Sequence, residues 1–248
     1  MATSLEPDRT DNLSEDELRD GLRLIERSLT DSPDDGSLWE LKGNILGRLG
    51  RPTAARKALE RAATLIPLAD TSWVAMAAAL AEEGRADLAF STVRTLFEAD
   101  RVEIDAICHA VELLAALGEF EFAIEAARRA CDEQPDNPSG YHRLAVLCDR
   151  GGRPDTLIES LHRRAMSLAP EQIDYRIALA TFFVGRRRLP CAYSVLKSLS
   201  TAQIASVSCE CCLKRLRDVF TLVGDRIRAD ACVVALDGVA DRKQGSAT

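Results

Sequence analysis

The densest cluster of reactive side chains in this 248-residue chain is Cys209-Glu210-Cys211-Cys212, with Cys232 twenty-odd residues on. Cys209 and Cys212 form a C-x-x-C. Placed at the first turn of a helix, such a pair meets free backbone amides and the positive end of the helix dipole, which lower a thiol pKa and make a redox-sensitive site possible. A structural zinc needs four ligands, so Cys232 would complete one only if a following helix folded back at the right height, and no second C-x-x-C exists. The third reading, preferred here, is that these are small apolar packing residues without metal.

The other candidates are sparse. Cys108 and His109 are adjacent, but a Cys/His nucleophile also needs a third orienting group, and none is placed by the sequence. His142 and His162 read as ordinary helix residues. Arg186-Arg187-Arg188 is an isolated basic run, read as a solvated turn with a local anionic contact as the alternative. There is no G-x-x-x-x-G-K-[ST], H-E-x-x-H, G-x-S-x-G or G-x-G-x-x-G. The chain is therefore read as no enzyme, with no cofactor and no catalytic residue.

Composition narrows the classes further. A formal charge of -7 opposes phosphate neutralisation, so nucleic acid is a poor partner and an anionic membrane no better. No apolar run is long enough to span a membrane, and Met1–Glu15 is polar and acidic with no signal-like segment. Eight cysteines then suit a reducing, cytoplasmic setting. With 46% apolar and 29% charged residues but only 5% aromatic, closely packed helices are expected rather than sandwiches or barrels.

The elements that must position these groups show themselves as a repeat. Gly50, Gly84, Gly118 and Gly152 recur every 34 residues; at this glycine frequency three further hits in a prescribed register have a chance of roughly 0.0002. Trp39, Trp73, Ile107 and Tyr141 share the register, as do Gly43, Ala77, Val111 and Ala145, and Ala55, Ala89, Ala123 and Leu157. Each period reads as two antiparallel helices. Gly50 supplies the left-handed residue that ends the first helix, Pro52 opens the second where no amide donor is needed, and Pro67 stops it. Small Gly43 and Ala55 mark the closest approach of the two axes.

This pattern resembles the tetratricopeptide repeat family, W-x2-L-G-x2-Y, G, A-x3-F-x2-A, P. The first unit supplies Trp39, Gly43, Leu46, Gly50, Ala55, Leu59, Ala62 and Pro67. The resemblance implies an all-α fold, a right-handed α-solenoid of antiparallel helix pairs. Its expected parts are a disordered acidic leader over 1–13, an orphan helix over 14–33 opened by a Ser14/Glu17 capping box, units at 36–69, 70–103, 104–137, 138–172 and 173–206, a degenerate capping unit at 207–239 and a disordered tail over 240–248. Arg187 stands where the fifth unit's turn glycine belongs. No linker divides the repeats, so one continuous solenoid is expected.

The resemblance also implies a function: a non-enzymatic scaffold or adaptor that holds a protein or peptide segment in its concave groove. The family's groove positions correspond here to Glu40, Asn44, Arg48, Val74, Ala78, Glu82, Cys108, Glu112, His142, Val146, Arg150, Ile177, Thr181 and Val184. The family's carboxylate clamp for chaperone tails is not reproduced. Asn44 matches one place, but Glu40 and Asp105 reverse two charges. An apolar stripe with flanking Glu40, Glu82 and Glu112 suits instead a partly apolar segment with basic flanks. The alternative is a thiol- or metal-responsive regulator using the C-terminal cysteines.

Overall fold

The computed structural model describes residues 13–99 and 101–245. Most of the leader expected to be disordered, and the last three residues of the tail, lie outside this range. The described residues form fourteen helices and no strand. They fall into two compact units, 1–133 and 134–248.

In the first unit, α1 (Glu15–Asp31) precedes three helix pairs: α2 (Gly36–Arg48) with α3 (Pro52–Ala63), α4 (Asp70–Glu82) with α5 (Ala86–Phe97), and α6 (Ile104–Leu117) with α7 (Phe120–Glu133). The expected capping box is present, Ser14 accepting from the Glu17 amide while the Glu17 carboxylate accepts from that of Ser14. α1 then buries Leu18, Leu22, Ile25 and Leu29 at helical spacing against Ile45 and Leu46 of α2. At Gly43 the pair α2/α3 closes tightest: a Cβ there would come within 2.5 Å of Leu59 Cγ and 3.2 Å of the Ala55 carbonyl oxygen. Leu59 is fully buried as a result.

The second unit holds α8 (Pro138–Arg150) with α9 (Asp155–Leu168), α10 (Ile173–Gly185) with the short α11 (Leu189–Leu196), the five-residue α12 (Thr201–Ala205), and α13 (Glu210–Leu222) with α14 (Arg226–Gly245). α14 continues past residue 239, where the last unit was expected to end.

One device makes every turn inside a pair. Gly50, Gly84, Gly118, Gly152 and Gly224 all have positive φ, and the one non-glycine with positive φ among the described residues is Arg187, at 57°. After each of these six residues the next amide donates back to a carbonyl five residues earlier: Arg51 to Leu46, Arg85 to Leu80, Glu119 to Leu114, Arg153 to Cys148, Arg188 to Phe183 and Asp225 to Phe220, at 2.8–3.0 Å. This is the Schellman closure, which satisfies carbonyls that the ending helix leaves open. Arg187 takes the glycine's role at the steric cost of a Cβ in the left-handed region.

Successive pairs are tied by side chains whose partners are not visible in the repeat pattern. In the first unit Glu40 accepts from the Ala69 amide at 2.8 Å, Asp70 from the Glu103 amide at 2.8 Å, and Arg56 grips both carboxylate oxygens of Glu83 at 2.9 and 3.2 Å. The second unit uses the arginines of the turn: Arg186 bridges Asp149 at 2.6 Å and Asp155 at 2.8 Å, and Arg188 reaches Glu159 at 2.9 Å while lying over the Phe183 ring. Two arginines of the basic run are thus engaged by carboxylates of the preceding pair.

Candidate functional site

The second unit contains a cleft built by two facing helical stripes. On α10 these are Ile177, Ala180, Thr181 and Val184, and on α13 Arg215, Asp218, Val219 and Leu222; both sets follow i, i+3, i+4, i+7 spacing, so each lies along one face. Leu196 of α11 and Leu216 of α13 close the base. The local sequence explains the gap. α11 has only eight residues and is followed by the small α12, and the step from Arg187 to Gly224 is longer than the 34-residue period, so the last two pairs do not stack in the regular register.

The cleft encloses about 100 Å³, against the roughly 300–1,000 Å³ of sites for drug-sized ligands, so its size matches single apolar side chains. Ile177 at 3% and Val219 at 4% exposure form its floor, whereas Val184 at 39% and Leu222 at 68% stand exposed at the rim. Arg217 pairs with Asp218 at 2.8 Å.

Three of the fourteen expected groove residues, Ile177, Thr181 and Val184, therefore line one cleft. The α13 half is not among the expected groove residues, although the i, i+3 spacing of Val219 and Leu222 carries its signal. His142 and Val146 on α8 are half-buried and Arg150 is exposed. His142 stacks obliquely with Tyr175 and with His162, ring centroids 5.6 Å apart in each case. Burial lowers the pKa of both histidines, His162 to about 4.

In the first unit the remaining positions divide between surface and structure. Glu82 and Glu112 are exposed, as is Arg48, and Ala78 and Cys108 are half-buried. Val74 is only 3% exposed and belongs to the interior of α4, which removes it as a surface contact. Glu40 is engaged by the Ala69 amide, and Asn44 donates to the buried hydroxyl of Ser72 at 2.9 Å. Cys108 and His109 occupy different faces of α6, one half-buried and one exposed, as consecutive helical residues must. A second groove, about 330 Å³, lies between α5 and α7 and is lined by Phe90, Phe97 and Phe122 with Arg94, Glu98, Glu125 and Arg129. The repeat consensus gave no reason to look there.

None of the eight cysteines forms a disulfide. Cys209 is the N-cap of α13, and its sulfur accepts from the Cys212 amide at 3.4 Å. Hydrogen bonds from the Cys211 and Cys212 side chains, followed by the Cys212 amide, pull its pKa down to about 7. Burial, followed by the hydrogen bond to Cys209, pushes that of Cys212 up to about 12. Cys209 thus stands at the start of a helix, where the redox-sensitive reading places it. Cys232 is fully buried on α14, with its pKa raised to about 11 by burial, and does not join the three.

Residues 36–67 match the tetratricopeptide repeat family, the first of the expected units. No curated protein matches the chain in sequence. Among solved structures it is similar to the C-terminal part of a TPR repeat-containing protein from Cytophaga hutchinsonii, with TM-score 0.63, 11% identity and 90% of each chain covered. It is also similar to MamA from Desulfovibrio magneticus RS-1, with TM-score 0.55, 18% identity, 65% of this chain and 91% of that one. A third is YrrB, described as a TPR protein with an unusual peptide-binding site, with TM-score 0.53, 12% identity, 70% of this chain and 93% of that one. At these identities the likeness is one of fold.

Proposed function

From the premise that this chain carries a tetratricopeptide repeat and has the fold of such proteins, we propose that it is a non-enzymatic adaptor whose α10/α13 cleft seats an apolar side chain of a partner protein segment. The observation that carries this reading is the pair of facing stripes, apolar at the floor and exposed at the rim through Val184 and Leu222. Covering those rim residues removes apolar surface from water at roughly 25 cal/mol per Å², the main source of affinity in such a groove. YrrB, of the same fold, is described as having a peptide-binding site.

Basic flanks are a separate proposal about the first unit by itself, where the exposed Glu82 carboxylate would face them. Their contribution is to association rate and salt dependence more than to affinity. The proposed setting is cytoplasmic, supported by eight cysteines that form no disulfide.

A peptide-display selection on the full chain tests this. Enriched peptides should share one branched apolar or aromatic residue at a fixed position and should be depleted when Val184→Glu protein is the bait. Enrichment of purely polar sequences, or recovery indifferent to Val184→Glu, would exclude the cleft.

A further inference from the structure

The sulfur atoms of Cys209, Cys211 and Cys212 lie within 4.8 Å of one another. Cys209 and Cys211 approach to 2.8 Å, short of bonding but close for two uncharged thiols. Cys211 is exposed and the other two half-buried, so an ion from solvent can reach all three. The platform beneath them is firm: Leu213 and Leu216, one and four residues on from Cys212, are almost completely buried.

The donor set selects the guest. Three sulfurs without an oxygen or imidazole partner do not suit calcium, magnesium or manganese, which take oxygen ligands. A closed structural zinc site takes four protein ligands, and among the described residues no fourth cysteine, histidine or carboxylate joins this group. Thiolate sulfur selects soft ions, with copper(I) the leading case that needs no fourth ligand. The backbone amides and dipole at the start of α13 offset part of the negative charge that three thiolates carry.

We propose that Cys209, Cys211 and Cys212 form a three-thiolate binding site for a soft cation of the copper(I) type. Binding makes three metal–sulfur bonds, and each thiol gives up its proton to solvent. Cys232 takes no part.

The test is an anaerobic titration of the reduced full chain with copper(I) against a colorimetric copper(I) chelator. The parent should withhold one equivalent at least tenfold more tightly than Cys209→Ser/Cys211→Ser/Cys212→Ser, with Cys232→Ser indistinguishable from the parent. Serine is itself a favoured N-cap, so the triple variant should keep the helicity of the parent by circular dichroism. Should it not, Cys211→Ser alone, at an exposed position, must show the tenfold loss. X-ray absorption should report three sulfurs in one shell. Equal copper retention by the variants, a two-sulfur shell, or tighter retention of zinc than of copper against matched chelators would overturn the proposal.

Discussion

Acidification should loosen the second unit through His162, a residue with no part in the proposed cleft chemistry. The residue is 4% exposed, its Nδ1 finds no hydrogen-bond partner among the described residues, and its ring lies 5.6 Å from that of His142 and 6.0 Å from that of Phe182. Burial is the main cause of its low pKa, about 4; a charged His142 would push the same way, and Asp149 opposes weakly. The histidine is therefore neutral in the folded chain while an unfolded one takes up a proton near pH 6.5. A depressed histidine pKa means that stability is complete above pH 6.5 and falls as the pH drops toward 4, by up to about 1.4 kcal/mol per unit. Between pH 7.5 and 5 the loss from this group is about 2 kcal/mol. The carboxylates with lowered pKa, Glu17, Glu83, Glu159 and Asp225, stay ionised through that window. Urea unfolding of the parent and of His162→Leu at pH 7.5, 6 and 5 measures the difference. The variant should lose at least about 1 kcal/mol of the parent's acid-dependent fall. Parallel pH profiles for the two proteins, or an NMR titration showing His162 protonating near 6.5 in folded chain, would refute the reasoning.

Gly43→Ala should destabilise the first unit by about 1–3 kcal/mol, since its new methyl would meet Leu59 at 2.5 Å and this overpacking exceeds the roughly 1 kcal/mol gained in helix propensity; denaturant midpoints at unchanged m-value check it. Arg187→Gly should raise the stability of the second unit by about 1 kcal/mol by relieving the left-handed conformation, which thermal unfolding would show as a higher midpoint. In a double-mutant cycle, Arg56→Ala and Glu83→Ala should couple by about 1 kcal/mol because both side chains are largely shielded from solvent and the Arg56 Nε–H is shared between the two carboxylate oxygens.

How far the sequence could be read differs between backbone and site. The turn glycines at fixed spacing identified every pair of the first four units, and even the exception, Arg187, was foreseeable as the residue in the glycine's place. Local conformational demands of this kind act through single residues, so they survive in a linear pattern. The links between pairs do not. Glu40, Asn44 and Asp70 hold amides or hydroxyls 28–33 residues away, and nothing in their spacing distinguishes a carboxylate that caps the next helix from one that faces a partner. Val74 fails as a groove residue for a related reason: in α4, apolar nearly throughout, periodicity cannot say which side is covered. The cleft was half legible, through Ile177, Thr181 and Val184. Its α13 wall depends on how far the irregular fifth pair opens the stack, a consequence of the short α11 that no repeat register contains.

The central claim is that the α10/α13 cleft is where a partner segment lands. Its most direct measurement is the affinity of a display-selected peptide, read by fluorescence anisotropy, for the parent and for Val184→Glu, Leu222→Glu and Ile227→Glu. All three residues are exposed, so the substitutions leave the core intact, and Ile227 lies on α14 outside the cleft. Val184→Glu and Leu222→Glu should each weaken binding at least tenfold, about 1.4 kcal/mol, with Ile227→Glu unchanged. Unaltered affinity in both cleft variants, or an equal loss in Ile227→Glu, would contradict the account.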